Sequence, residues 1–219
     1  MDKNPLNPVA VVFDLGNVLL SFDSCKISRF VSQKAGAAQN DAHAFIFGTE
    51  LEKSIDKGKI SLSEFLSAIN ARFASNISIE EFTPVWCDMF VKNEGIEKIV
   101  RGLKNNNYRL GMLSNTNRAH FECVKEKFPV VRLFDDYHLS YETGYLKPDK
   151  QAFENVVRFY HCAPEQLVFT DDIDINVRAA RVCGINAVRY ESSKQLSSFL
   201  SGLSLKFKNL AEFHGFTRG

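Results

Sequence analysis

Apolar residues run unbroken through Val9-Ala10-Val11-Val12-Phe13, stop at Asp14, and resume at Val18-Leu19-Leu20 after a permissive Gly16. An unbroken apolar run of this length reads as a strand buried on both faces, delivering an acid to its carboxyl end. The same pattern returns at Tyr108–Leu113, Tyr137–Ser140, Leu167–Thr170 and Ile185–Tyr190. Helical periods separate these runs, with Ile96, Ile99, Val100 and Leu103 on one stripe and Phe153, Val156, Val157 and Tyr160 on another. Strands alternating with helices predict an α/β fold, a Rossmann-like parallel sheet of five strands with helices on both faces.

Between about Ser21 and Asn93 the strand signal is absent. Ile27, Phe30 and Val31 share a helical face, as do Leu51 and Ile55 before Gly58. Ser61-Leu62-Ser63-Glu64 is a capping box, and Leu62, Phe65, Leu66, Ile69 and Phe73 form a stripe behind it. Thr83-Pro84 read as an N-cap and first helical residue for a helix carrying Val85, Trp86, Met89 and Phe90. The expectation is an α/β core of residues 1–20 and 95–219, with a helical cap over residues 21–94 inserted after the first strand.

Composition narrows the function classes. Among 219 residues, 27 Lys and Arg balance 26 Asp and Glu, which leaves no basic excess of the kind that binds nucleic acid. No apolar run approaches the roughly 20 residues of a membrane helix, and Met1–Pro8 lacks the apolar centre of a signal peptide. A cytoplasmic location is expected. Five scattered cysteines without metal spacing read as reduced, buried thiols.

Polar residues recur where the strands end. Asp14 follows the first, Ser114 the second, Lys147 the third and Asp171-Asp172 the fourth. In an open parallel sheet these ends converge on one crevice. A carboxylate nucleophile, a hydroxyl, a lysine and an acidic pair suit phosphoryl transfer to an aspartate. Asp14, Asp171 and Asp172 would take Mg²⁺, a hard ion that prefers oxygen. Ser114 and Lys147 would orient and neutralise a phosphate.

Phe13-Asp14-Leu15-Gly16-Asn17-Val18, Leu113-Ser114-Asn115-Thr116-Asn117-Arg118, Lys147-Pro148-Asp149 and Phe169-Thr170-Asp171-Asp172 together resemble the four motifs of the haloacid dehalogenase superfamily. The resemblance spans Phe13 to Asn176 and includes that superfamily's helical cap. Within it, these stretches are most similar to the sugar-1-phosphate phosphatases. The resemblance implies a Mg²⁺-dependent phosphatase of a small phosphorylated metabolite, in which Asp14 becomes an aspartyl-phosphate. It makes Leu15, Gly16, Ser114, Asn115 and Lys147 phosphate-binding residues, and Asp14, Asp171, Asp172 and the Gly16 carbonyl metal ligands. Asn176 stands behind the metal site.

One position departs from the family pattern. Most phosphatases of this superfamily carry a second Asp two residues after the nucleophile as general acid, and here that residue is Gly16. Loss of such a group typically costs about 10²–10⁴-fold in rate. Asp23 either substitutes for it or caps a helix. His120, soon after Asn117, either reaches the crevice or is an ordinary polar residue. Asp135 and Asp136 read as turn residues before the third strand. Two other functions fit the fold: a non-catalytic binding protein that lost its acid, and a dehalogenase, whose chemistry needs no metal.

Overall fold

The computed structural model describes residues 8–205. The last stretch, with Lys206, Phe207, Lys208 and Phe213, lies outside them, as does almost all of the amino-terminal segment Met1–Pro8. The chain runs from β1 (Ala10–Phe13) and β2 (Leu20–Phe22) into five helices. These are α1 (Cys25–Ala35), α2 (Gln39–Ile46), α3 (Glu50–Asp56), α4 (Leu62–Phe73) and α5 (Ile79–Cys87). After β3 (Phe90–Lys92) come α6 (Glu94–Asn105), β4 (Leu110–Ser114), α7 (Arg118–Lys127), β5 (Asp136–Leu139) and α8 (Ser140–Thr143). The chain continues through α9 (Lys150–Tyr160), β6 (Leu167–Asp171), α10 (Asp174–Val182), β7 (Asn186–Arg189) and α11 (Ser193–Gly202).

The expected five-stranded sheet is present, in the order β5-β4-β1-β6-β7, with every neighbouring pair parallel. β1 is central, and Phe13 lies opposite both Met112 and Thr170. That register brings Asp14, Ser114 and Asp171 to the same edge. All residues of β1, β4 and β6 are buried, as unbroken apolar runs require. On one face Val11, Phe13 and Met112 join the core that includes Ile96 and Ile99 of α6. On the other, Ala10, Val12 and Phe169 pack on Phe153 and Val156 of α9 and Val177 of α10.

The helical stretch leaves and re-enters the core through a small antiparallel pair, β2–β3, with Phe22 opposite Phe90. The Asn93 amide donates to the Val18 carbonyl (3.0 Å) and to the Tyr190 hydroxyl (3.1 Å), tying this crossing to the sheet. Phe90 is therefore a strand residue, not part of a helical face. The α5 helix also starts earlier than Thr83-Pro84 suggest. Ser78 and Glu81 form a reciprocal capping box, so Pro84 falls inside the helix. A box satisfying two end groups is a stronger start signal than one proline. The box at Ser61 and Glu64 forms as read, and Phe65, Phe82 and Trp86 are the large buried side chains of this helical stretch.

Two further readings are corrected. Cys87 and Cys123 are joined as a disulfide, because α5 packs on α7 and brings their Cα atoms to 5.6 Å. That lies within the range a disulfide spans, and a sequence separation of 36 gave no sign of it. Cys25, Cys162 and Cys183 are free. Asp136 is not a turn residue but the first residue of β5, where it pairs with Arg109 at 2.7 Å and accepts from Tyr160 at 3.0 Å.

Candidate active site

The sheet edge gathers its polar residues around one ammonium group. Lys147 Nζ lies 2.7 Å from Asp14 Oδ1 and 2.6 Å from Asp171 Oδ2, with its side chain only 2% exposed. Burial alone would lower the lysine's pKa. The two carboxylates outweigh it and hold the ammonium above its ordinary value. Asp14 itself is pushed up to about 7, first by burial, against the pull of Lys147 and with a further push from Asp171.

The loop bearing Lys147 is held by a side chain. Asn115 Oδ1 accepts from the Lys147 N–H, and Asn115 Nδ2 donates to the Lys147 carbonyl, each at 2.8 Å. The sequence named Asn115 only as a phosphate-binding residue and gave no sign of this clamp. Ser140 Oγ accepts from the Thr116 N–H (2.9 Å) and donates to its carbonyl (3.0 Å), fixing the same turn from the other side. Ser114 is buried, and its hydroxyl has no hydrogen bond among the described residues.

Asp171 is fully engaged. It accepts from Lys147, from the Ile173 N–H (2.8 Å) and from Asn176 Nδ2 at 3.1 Å on each oxygen. Asp172 is half-buried. Burial, then the Asp171 charge, raises its carboxyl, and the Asn17 amide pulls it back. Asn17 holds a left-handed conformation, φ 52°, that asparagine tolerates in tight turns. Asp14, Asp171 and Asp172 each offer a carboxylate oxygen within 4.8 Å of the others. Oxygen-only donors crowded this closely, two of them raised by mutual charge and burial, fit a hard divalent cation.

A small crevice of about 90 Å³ opens beside this cluster, lined from the sheet edge by Gly16 and Ser114 and from the helical stretch by Glu52, Asp56 and Trp86. At Gly16 an added Cβ would meet Phe22 Cε1 at 3.1 Å. A side chain at this position would thus crowd the Phe22 ring, which would have to give by a few tenths of an ångström. Asp23 is not among the residues that line the crevice, and its Oδ1 accepts from the Cys25 N–H at 2.9 Å at the start of α1. His120 does reach the crevice. Its ring stacks on Trp86 with centroids 4.1 Å apart. Asp56, Glu52 and Phe22 carried no sequence signal, because their placement depends on how α3 and β2 dock on the core.

Two predictions follow from these groups. Lys147→Met removes the charge that two buried acids share, so metal-free protein should lose roughly 3–5 kcal/mol in denaturant unfolding. An unchanged midpoint would show that the acids need no counter-charge. Asp56 is raised from 3.8 to about 7, chiefly by desolvation. Its protonated form is favoured in the folded state, so its penalty is absent below the lower value and complete above the higher. Wild-type thermal midpoints should fall more steeply than those of Asp56→Asn across that window. Parallel curves would mean that Asp56 titrates normally.

Comparisons with known proteins agree with this geometry. The family model described as haloacid dehalogenase-like hydrolase matches residues 9–184. The D-ribitol-5-phosphate phosphatase of Bacteroides thetaiotaomicron is 26% identical over 192 residues, covering 83% of this chain and 91% of that protein. A sesquiterpene phosphatase of Aspergillus oryzae is 22% identical over 179 residues, covering 80% and 86%. A HAD family enzyme of Bacteroides thetaiotaomicron, solved with magnesium and inorganic phosphate, superposes with a TM-score of 0.73 at 25% identity, covering 84% of this chain and 95% of that one. With its family matched over most of its length and the four strand-end motifs gathered in one crevice, the chain belongs to the haloacid dehalogenase-like hydrolases.

Proposed function

We propose that this hydrolase is a phosphatase of a small phosphorylated metabolite, a sugar or polyol phosphate, and that Asp14 carries the phosphoryl group between two half-reactions. The observation behind this reading is the Lys147 ammonium held between Asp14 and Asp171, beside an unengaged Ser114 hydroxyl. In the first half-reaction an Asp14 oxygen bonds to phosphorus as the bond to the substrate alcohol breaks. In the second, water attacks that phosphorus, phosphate leaves, and the Asp14 carboxylate returns. Lys147 and Ser114 would bind the phosphoryl oxygens, assisted by the backbone N–H groups of Leu15 and Asn115. Positioned charge supplies most of the catalysis in phosphoryl transfer.

Asp14, Asp172 and the Gly16 carbonyl would hold Mg²⁺, which when bound offsets the charge of the phosphate and of the acids around it. Asp171, with its oxygens taken, would serve by fixing Lys147 and adding charge. Helices α1–α5 would act as the cap that closes the crevice and excludes water. The relatives support this reading: one is a D-ribitol-5-phosphate phosphatase, and a related structure binds magnesium and phosphate. A dehalogenase would have no use for a three-carboxylate cluster. A non-catalytic protein would have no need of Lys147 buried against Asp14. The described helices include none long and apolar enough to cross a membrane, and a cytoplasmic place is part of this proposal.

Asp14→Asn should abolish phosphatase activity with the fold intact, and EDTA should abolish it in the wild type until Mg²⁺ is restored. Turnover by the Asn variant at the parent rate would remove Asp14 from the reaction. The missing acid yields a second prediction. Without a proton donor the alcohol departs with more negative charge, so kcat/KM should rise steeply as the leaving alcohol becomes more acidic. Gly16→Asp should flatten that dependence, and more so when Phe22→Ala clears the space. A wild-type enzyme indifferent to leaving group would show that another residue donates the proton.

A further inference from the structure

The far end of the crevice is polar in an unusual way. Glu52 and Asp56 face it from α3, and His120 from the first turn of α7, with Phe22, Phe47 and Phe90 around them and neither lysine nor arginine among the lining residues. A second anionic group on the substrate would find nothing to neutralise it there.

The hydrogen bonds define what is missing. Asn117 Nδ2, which can only donate, faces His120 Nδ1 at 3.1 Å and Asp56 Oδ1 at 3.1 Å. Nδ1 is therefore the acceptor, and Nε2 carries the ring hydrogen. His120 Nε2 is buried and has no hydrogen-bond partner among the described residues. The ring is 9% exposed, and burial drops its pKa to about 3 despite an opposing pull from the Trp86 carbonyl, so it stays neutral. Asn117 Oδ1 accepts from the Trp86 indole N–H (3.3 Å) and from the His120 N–H (3.0 Å), which fixes the arrangement. Glu52 Oε2 accepts from the Gly48 N–H at 2.6 Å. Asp56 Oδ2 and Glu52 Oε1 have no such partner among the described residues.

The crevice thus presents one unmet N–H donor beside two carboxyl groups with oxygens to spare. A buried donor left unmet is costly, and a ligand that supplies an acceptor would recover that cost. We infer that Glu52, Asp56 and His120 read the hydroxyl groups of the substrate's leaving alcohol, and so select polyhydroxylated phosphate monoesters. The inference rests on the phosphatase reading above and names what that site selects. A hydroxyl both donates and accepts, so it can give its hydrogen to a carboxyl and take one from Nε2. An ammonium group has no lone pair for Nε2–H. A hydrocarbon chain would bury the carboxyl groups without partners, which is strongly unfavourable. The aromatic residues offer flat faces to the C–H surface of a sugar or polyol.

The test measures kcat and KM, with Mg²⁺, for D-ribitol 5-phosphate, glucose 1-phosphate, O-phosphoethanolamine, farnesyl phosphate and p-nitrophenyl phosphate. The wild type should favour the two polyhydroxylated esters over the amine and prenyl esters. In Asp56→Asn, Glu52→Gln and His120→Phe, kcat/KM for the preferred ester relative to p-nitrophenyl phosphate should fall about tenfold or more, mainly through KM. His120→Gln, which keeps an N–H donor, should recover part of the loss and separates recognition from misfolding. A ratio unmoved in all three variants while p-nitrophenyl phosphate is still hydrolysed would overturn this inference alone. So would a wild-type preference for phosphoethanolamine or farnesyl phosphate. Failure of the wild type to hydrolyse any ester would overturn the phosphatase reading, and this inference with it.

Discussion

A buried ammonium between two carboxylates is the constraint on which the rest of this site depends. Lys147 cannot leave water without counter-charge, and Asp14 and Asp171 cannot face each other without a cation between them. Each group makes the others tolerable, which explains how three ionisable groups stand at the end of fully buried central strands. The arrangement is held from outside. Asn115 clamps the Lys147 backbone, Asn176 and the Ile173 N–H occupy Asp171, and the parallel register of β1 with β4 and β6 sets their separation. Asp14, raised by its burial and by Asp171, is pulled back toward its ionised form by the Lys147 ammonium beside it.

Gly16 and Phe22 carry the second half of the account. The ring of Phe22 lies close enough to Gly16 that a side chain there would crowd it. On the proposed mechanism the chemistry would then fall to phosphate positioning and to the nature of the leaving alcohol. The opposite wall, made by α3 and the first turn of α7, supplies hydrogen-bonding groups instead of a proton donor beside phosphorus. Charge at one end of the crevice and hydrogen-bonding groups at the other are what the proposed small, polyhydroxylated phosphate ester would need.

The sheet and its strand-end residues were legible in the sequence because both rest on local signals. Buried parallel strands are continuous apolar runs, and each of Asp14, Ser114, Lys147 and Asp171-Asp172 follows one of them. The capping box at Ser61 was equally local. What stayed hidden depends on docking between distant segments. Phe90 pairs with Phe22 in a three-residue strand too short to show a period. Cys87 meets Cys123 only because α5 packs on α7. Asp56 and Asn117 are 61 positions apart, and nothing near either one signals that they meet. Pro84 misled for a different reason: a proline marks helix starts often, yet Ser78 and Glu81 satisfied the helix end one turn earlier.

The central claim is that the phosphoryl group rests on Asp14 during turnover. Rapid acid quenching of enzyme mixed with a reactive phosphate ester and Mg²⁺, followed by peptide mass mapping, reads this directly. The account predicts a transient phosphoryl group on the peptide carrying Asp14, removable by hydroxylamine as an acyl phosphate should be. Turnover with no phosphorylated enzyme at any time point, or with the phosphoryl group on another residue, would contradict it.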